Sequence, residues 1–185
     1  MERKENWKER MEEHKSECNG NPSVYCGTYA KYNDGSLYGM WIDLTTFDDY
    51  EDFVDFCKEL HADEHDPELM FQDYEGFPTE WYSESCMDEE TFDKIVEYGG
   101  LDEDDQEMYD AYMSCYGEPD DFRQVQDRCM GKWDSEVDFA EHIVDECYAE
   151  SIPQNLRNYF DYAKFARDLF MDGYSFCDGY VFYDR

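Results

Sequence analysis

The sequence is short of basic residues. Only 15 of its 185 residues are Lys or Arg, against 49 Asp or Glu, so the formal net charge at pH 7 is −34. Such an excess of one sign is typical of disordered chains, which also lack the apolar and aromatic residues of a core. Here 41% of the residues are hydrophobic and 18% are aromatic. We therefore expect the chain to fold despite its charge, and a chain of this length can bury a core.

Long apolar runs and paired cysteine motifs are also missing. Residues 1–17 mix both charges, and no stretch of the sequence is apolar enough for a signal peptide or a membrane span. The eight cysteines are evenly spread, with no CxxC pair and no Cys/His cluster of zinc spacing. These absences predict a soluble cytoplasmic protein with reduced thiols and no membrane partner.

Signatures of catalysis are weak or absent. There is no G-x-S-x-G and no Gly-rich phosphate loop. Residues 61–65 match the H-x-x-E-H zinc pattern, but Pro67 interrupts the helix that the pattern needs. Residues 102–107 resemble a calcium loop, but Glu107 stands where the turn glycine belongs. We predict no catalytic residue, no metal site, no cofactor and no enzymatic activity; an acidic calcium-binding or general acidic interaction protein is the alternative.

Hydrophobic periodicity predicts a mixture of helices and short strands, and hence the α+β fold class. Helices are expected over residues 1–17, 46–60, 87–99, 101–117, 135–147 and 161–171. Hairpins are expected around Asn33-Asp34-Gly35 and, as hairpin or strand, over 176–185; further strands are expected over 68–78 and 122–133. The expected helix caps are Thr46 and Ser135.

Proline and glycine positions divide these elements into four segments. They are a helical extension (1–20), an α+β lobe (21–82), a central helical lobe (83–121) and a C-terminal α+β lobe (122–185). Between Lys58 and Arg123 the only basic residue is Lys94. The central lobe is therefore nearly free of positive charge.

The helix over residues 46–60 crowds carboxylates together, although like charges three or four positions apart destabilise a helix by roughly 0.2–0.5 kcal/mol per pair. Asp48, Asp52, Asp55 and Glu59 recur at helical spacing and line one face. Duplex DNA carries one negative charge per roughly 1.7 Å of axis, so the net charge of −34 matches roughly 58 Å of duplex. Carboxylates on rigid helices can present a phosphate-like pattern to a basic groove. A solvated acidic surface or a halophilic adaptation is the alternative.

Four stretches of the chain resemble the ArdA family of antirestriction proteins, in order and at comparable separations. They are GTYAKYNDGSLYGMWIDL (27–44), ELHADEHDPELMFQDYEGFP (59–78), IPQNLRNYFDYAKFARDLFMDGY (152–174) and DGYVF (178–182). The resemblance covers most of residues 23–183 and leaves out residues 1–20. It implies an elongated protein of three small lobes that dimerises through its C-terminal lobe, mimics bent B-form DNA and is carried by phages, plasmids or conjugative transposons.

The implied partner is a type I restriction-modification enzyme, whose specificity and modification subunits form the DNA-binding groove. A protein bound in this groove would block restriction and, as a further expectation, modification. Nucleic acid itself is not an expected partner. The resemblance also assigns residues 136–150 to the family's acidic antirestriction helix. The candidate phosphate-mimicking carboxylates are Asp48, Asp52, Asp55, Glu59, Glu89, Glu90, Asp93, Glu97, Asp104, Glu107, Asp110, Glu136, Asp138, Glu141, Asp145, Glu146 and Glu150. Three aromatic residues, Phe176, Tyr180 and Phe182, are expected to serve as core or as dimer contacts.

Overall fold

The computed structural model describes residues 2–148 and 150–184. Within these residues the fold is α+β, as predicted, with nine α-helices and two antiparallel three-stranded sheets. The chain divides into two compact units, of which the first ends at Asp102 and the second begins at Glu103. This boundary falls inside the predicted central lobe. The elongated three-lobe layout stays a prediction.

The first unit contains a sheet with the strand order β2-β1-β3, in which both pairs are antiparallel. Its strands are β1 (Ser23–Thr28), β2 (Met40–Asp43) and β3 (Leu69–Glu75). Its helices are α1 (Glu2–Glu13), α2 (Tyr29–Asn33), α3 (Tyr50–Leu60) and α4 (Glu89–Gly99). Short 3₁₀ turns occupy Leu44–Thr46 and Thr79–Trp81.

Helix α3 supplies the centre of this unit's core. Its buried residues are Phe53, Phe56, Cys57 and Leu60. The Phe53 ring stacks 5.9 Å from Phe71 of β3 and 5.3 Å from Phe92 of α4. Fully burying one such side chain contributes about 1.5–3 kcal/mol, whereas each like-charge pair costs a few tenths. The buried side of α3 therefore outweighs the repulsion on its acidic side.

Two sequence predictions in the first unit are wrong. Strands β1 and β2 do pair, but no tight hairpin turn joins them, because Thr28 accepts the backbone N–H of Lys31 at 3.2 Å and starts helix α2. Helix α3 is capped by Asp49, which accepts the N–H of Asp52 at 2.9 Å. Thr46 cannot be that cap because it lies in the preceding 3₁₀ turn.

The second unit contains a sheet with the strand order β4-β6-β5. Its strands are β4 (Cys129–Lys132), β5 (Tyr174–Cys177) and β6 (Tyr180–Tyr183). Its helices are α5 (Glu103–Tyr116), α6 (Phe122–Arg128), α7 (Glu136–Cys147), α8 (Gln154–Arg157) and α9 (Tyr162–Asp172). The core includes Phe139 of α7, with its ring 5.8 Å from Phe170 of α9, and Phe182 of β6, 5.4 Å from Tyr112 of α5.

The terminal hairpin is confirmed, whereas the strand predicted over 122–133 is only half present. Asp178 and Gly179, with φ of 47° and 90°, form the two-residue turn between β5 and β6, which requires this backbone conformation. Residues 122–128 are helical instead of extended, because Asp121 accepts the N–H of Gln124 at 2.9 Å and caps α6.

A disulfide joins Cys115 of α5 to Cys177 of β5, with the two Cα atoms 6.1 Å apart. The expectation that all eight cysteines are reduced thiols is therefore wrong for this pair. The two residues are 62 positions apart in sequence, and the fold of the second unit brings them together. The other six cysteines, all within the described ranges, are free.

Candidate functional site

The acidic face of α3 is divided by contacts with helix α1. Asp48 precedes the helix, which begins at Tyr50, so its predicted place on this face is wrong. Asp48 and Asp55 are exposed, whereas Asp52 and Glu59 are half-buried beside Arg10 of α1. The Arg10 guanidinium lies 3.1 Å from Asp52 Oδ1 and 2.8 Å from Glu59 Oε2. Of the four carboxylates that sequence spacing placed on one face, two are exposed to solvent and two form ion pairs within the chain.

Helix α4 presents its four candidate carboxylates to solvent. Glu89, Glu90, Asp93 and Glu97 are exposed, while the opposite side of the helix buries Phe92, Ile95 and Tyr98. Glu89 and Glu90 lie in the first turn, where carboxylates interact favourably with the helix dipole.

Helix α5 presents three exposed candidates, Asp104, Glu107 and Asp110. Glu107 pairs with Lys132 of β4, and the hydrogen bond from that ammonium lowers the pKa of the Glu107 carboxyl. Glu107 is therefore ionised at pH 7, as a phosphate surrogate must be.

Helix α7 and the residues after it present six exposed candidates. They are Glu136, Asp138, Glu141, Asp145, Glu146 and Glu150. The predicted cap at Ser135 is confirmed, since its hydroxyl accepts the N–H of Asp138 at 3.2 Å and donates to Asp138 Oδ2 at 2.6 Å. Arg157 of α8 pairs with Asp145. The buried side of α7 carries Phe139, Ala140 and Val144.

The C-terminal aromatic residues contribute to the core of the second unit. Phe182 is fully buried and Tyr180 is 7% exposed, while Phe176 is half-buried. The Phe182 ring makes edge contacts with Tyr112 and Tyr116. A role of these residues in a dimer stays a prediction.

The two histidines of the H-x-x-E-H match do not share a helical face, because α3 ends at Leu60. His61 is fully buried and its Nδ1 lies 3.1 Å from Lys31 Nζ, whereas His65 is exposed. Throughout residues 2–148 and 150–184, no group of three or more His, Cys, Asp or Glu side chains could hold a metal ion.

The sequence interpretation missed the cations that approach the acidic faces. Arg10, Lys132 and Arg157 each pair with one or two of the candidate carboxylates. A signal for Arg10 was present, since Trp7, Met11 and His14 recur at helical spacing and form an apolar stripe that requires a surface to pack against. The sequence did not indicate which surface that is.

Comparisons with known proteins point to one family. The family model described as "Antirestriction protein (ArdA)" matches residues 24–182. A search of curated proteins found no match. In the described part of the chain, no helix combines the length and apolar character needed to cross a membrane. Since the family match covers most of its length, this chain belongs to the ArdA family of antirestriction proteins.

Proposed function

We propose that this protein is a DNA mimic that occupies the DNA-binding groove of a type I restriction-modification enzyme, at its specificity and modification subunits. It blocks restriction, and with it modification, without any catalytic activity or cofactor of its own. One observation carries the proposal: every candidate carboxylate except Asp52 and Glu59 is exposed, and the four helices that bear all of them but Asp48 and Glu150 bury their opposite sides.

Helices suit this task because they fix the spacing of charge. Each residue advances 1.5 Å along a helix, so acids three or four positions apart form a row of regularly spaced negative charges. A groove built for DNA supplies the cations that this surface lacks, and pairing with them releases the counterions of both surfaces. The repulsion within α3 and α4 is then relieved in the complex.

The test is competition for a type I methyltransferase core of specificity and modification subunits. A fluorescently labelled duplex is bound to the core and titrated with this protein while its anisotropy is followed. We expect displacement near one equivalent of groove. If the folded protein leaves the duplex bound at a large excess, DNA mimicry of this target is wrong.

Matched variants separate patterned charge from total charge. One variant neutralises α4 with Glu89→Gln, Glu90→Gln, Asp93→Asn and Glu97→Gln. Its control removes four exposed carboxylates of the same unit from outside the candidate set, with Asp66→Asn, Glu68→Gln, Asp73→Asn and Glu80→Gln. We expect the α4 variant to need at least tenfold more protein than wild type to displace the duplex, and the control to need little more. The single change Asp55→Asn should raise the required concentration about twofold, the worth of one exposed charge pair. Equal losses in the two quadruple variants would mean that only net charge matters.

We also propose that the protein is a homodimer in the bacterial cytoplasm, carried by a mobile element. Of the three candidate dimer contacts, Phe176 is the most exposed, because it is half-buried while the other two are buried. Sedimentation equilibrium tests this directly: a mass of twice 22.2 kDa is expected.

A further inference from the structure

Helix α1 lies outside the family match, which begins at residue 24. It nevertheless packs closely within the first unit. The Trp7 ring lies 5.2 Å from that of Phe56, and the Arg10 guanidinium lies 5.5 Å from the centre of the same Phe56 ring. Phe56 belongs to α3, so these contacts hold α1 against the helix that carries the acidic face.

The residues after α1 fix its position through the main chain. His14 O accepts the N–H of Asp43 at 2.9 Å, and Ser16 N–H donates to Trp41 O at 3.1 Å, which adds this segment to the edge of β2. The His14 ring stacks 4.0 Å from Phe47. Burial lowers the pKa of His14, so the ring is neutral at pH 7. This attachment places Arg10 over α3 at a high effective concentration.

Arg10 binds Asp52 and Glu59 as we expect an arginine of a DNA-binding groove to bind them. Its guanidinium bridges the two carboxylates with separate N–H groups, at 3.1 and 2.8 Å. Arg is the residue type that DNA-binding surfaces present to phosphates because its planar fork offers several donors. An external cation therefore competes with Arg10 for Asp52 Oδ1 and Glu59 Oε2.

We propose that α1 is an autoinhibitory segment, in which Arg10 competes with the partner's cations for Asp52 and Glu59 and so weakens binding to the restriction-modification groove. This inference rests on the DNA-mimic function proposed above. It assigns the extension a role in setting affinity and in choosing partners: a groove rich enough in cations to displace Arg10 is inhibited, and a less basic groove is spared.

The test compares two substitutions that remove one positive charge each from the same helix. Arg10→Met keeps an unbranched apolar stem over Phe56 and frees Asp52 and Glu59. Lys8→Met is the matched control, because Lys8 is an exposed cation of α1. Two further proteins carry Asp52→Asn with Glu59→Gln, with and without Arg10→Met. A circular dichroism spectrum like that of wild type and a cooperative melting transition above the assay temperature establish that each of them is folded.

We expect Arg10→Met to displace the labelled duplex at a concentration about 2- to 30-fold lower than wild type, the range given by two partly exposed ion pairs. Lys8→Met should change it by less than twofold. In the Asp52→Asn/Glu59→Gln background, Arg10→Met should give no gain beyond that of Lys8→Met. Equal gains from Arg10→Met and Lys8→Met, or a gain that survives in the neutralised background, would overturn the autoinhibitory role.

Failure of this inference and failure of the proposed function give different results. If wild type displaces the duplex but Arg10→Met matches Lys8→Met, the inhibitor stands and α1 is only a structural cover. If neither wild type nor Arg10→Met displaces the duplex, the DNA-mimic function itself is wrong for this target, and the autoinhibitory role falls with it.

Discussion

Lys31 shows how a single cation organises the first unit. Its side chain is 14% exposed, and its ammonium lies 2.8 Å from both Asp63 and Glu64 and donates to His61 Nδ1 at 3.1 Å. Burial alone would lower the pKa of Lys31, but hydrogen bonds to Asp63 and Glu64 outweigh it and raise that pKa. The same hydrogen bonds lower the pKa of Asp63 and of Glu64. Lys31 therefore joins α2 to the segment after α3.

These shifts predict a pH dependence of stability. The Asp63 and Glu64 carboxyls have lower pKa values in the folded state than in the unfolded state. Their contribution is complete above the unfolded values near 4 and is lost as the pH falls through the folded values. We expect Lys31→Met to lower the melting temperature by on the order of 2–4 °C between pH 6 and 8, and this difference from wild type should shrink from pH 5 to pH 3.

The control for this measurement is Lys58→Met, which removes an exposed cation of α3. Its melting temperature should stay close to that of wild type from pH 8 down to pH 5. At alkaline pH the dependence of stability on pH has the opposite sign. Because the pKa of Lys31 is raised in the folded protein, the stability that Lys31 contributes is lost as the pH rises above about 10.4. A Lys31→Met difference that is constant from pH 8 to pH 3 would contradict the ion-pair role.

At the level of elements, local signals in the sequence predicted most helices and strands. Apolar periodicity located α3, α4, α5, α7 and α9, and the alternating pattern of residues 176–185 located the terminal hairpin or strand. The errors at α2 and α6 share a cause: Thr28 and Asp121 act as N-caps inside runs rich in strand-forming residues. In both places one capping hydrogen bond decided between helix and strand.

Contacts between distant elements could not be predicted in this way. The pairing of Arg10 with Asp52 and Glu59 spans 42 and 49 positions, and nothing in the spacing of charges along the chain specifies it. The exposed carboxylates were easier to predict, because an acid opposite an apolar stripe must face solvent. Sequence therefore located the acidic faces but not the cations that cover part of them.

The Cys115–Cys177 disulfide ties α5 to β5 and should stabilise the second unit. For residues 62 positions apart, loss of chain entropy in the unfolded state corresponds to about 4 kcal/mol. We expect Cys115→Ser, or reduction with dithiothreitol, to lower the melting temperature of this unit. Hydrogen exchange of the α5 and β5 amides, followed by mass spectrometry, localises the effect.

The matched control is Cys129→Ser, which removes a half-buried free thiol from the same unit. Dithiothreitol should destabilise wild type and the Cys129→Ser protein equally and leave Cys115→Ser unchanged. Equal exchange of the β5 amides in oxidised and reduced protein would show that the disulfide adds no stability. Since disulfides are rare in cytosolic proteins, the result also bears on where the oxidised form can exist.

The net charge of −34 governs the molecule as a whole. Self-repulsion destabilises a compact state of such charge, and mobile ions screen it. The screening length falls from about 30 Å at 0.01 M salt to about 8 Å at 0.15 M. Salt should therefore stabilise the free protein while it weakens the complex with a basic groove, because the complex gains less from counterion release.

Opposite salt responses thus distinguish a DNA mimic from other highly acidic proteins. We expect the melting temperature to rise between 0.01 and 0.15 M NaCl. Direct binding to the methyltransferase core should weaken over the same range, with a negative slope of log affinity against log salt. Binding is measured directly here, since salt also weakens the duplex used as competitor. A halophilic adaptation predicts folding only at molar salt. A calcium-binding protein predicts that CaCl2 raises the melting temperature far beyond NaCl of equal ionic strength, whereas a DNA mimic predicts equal shifts from the two salts.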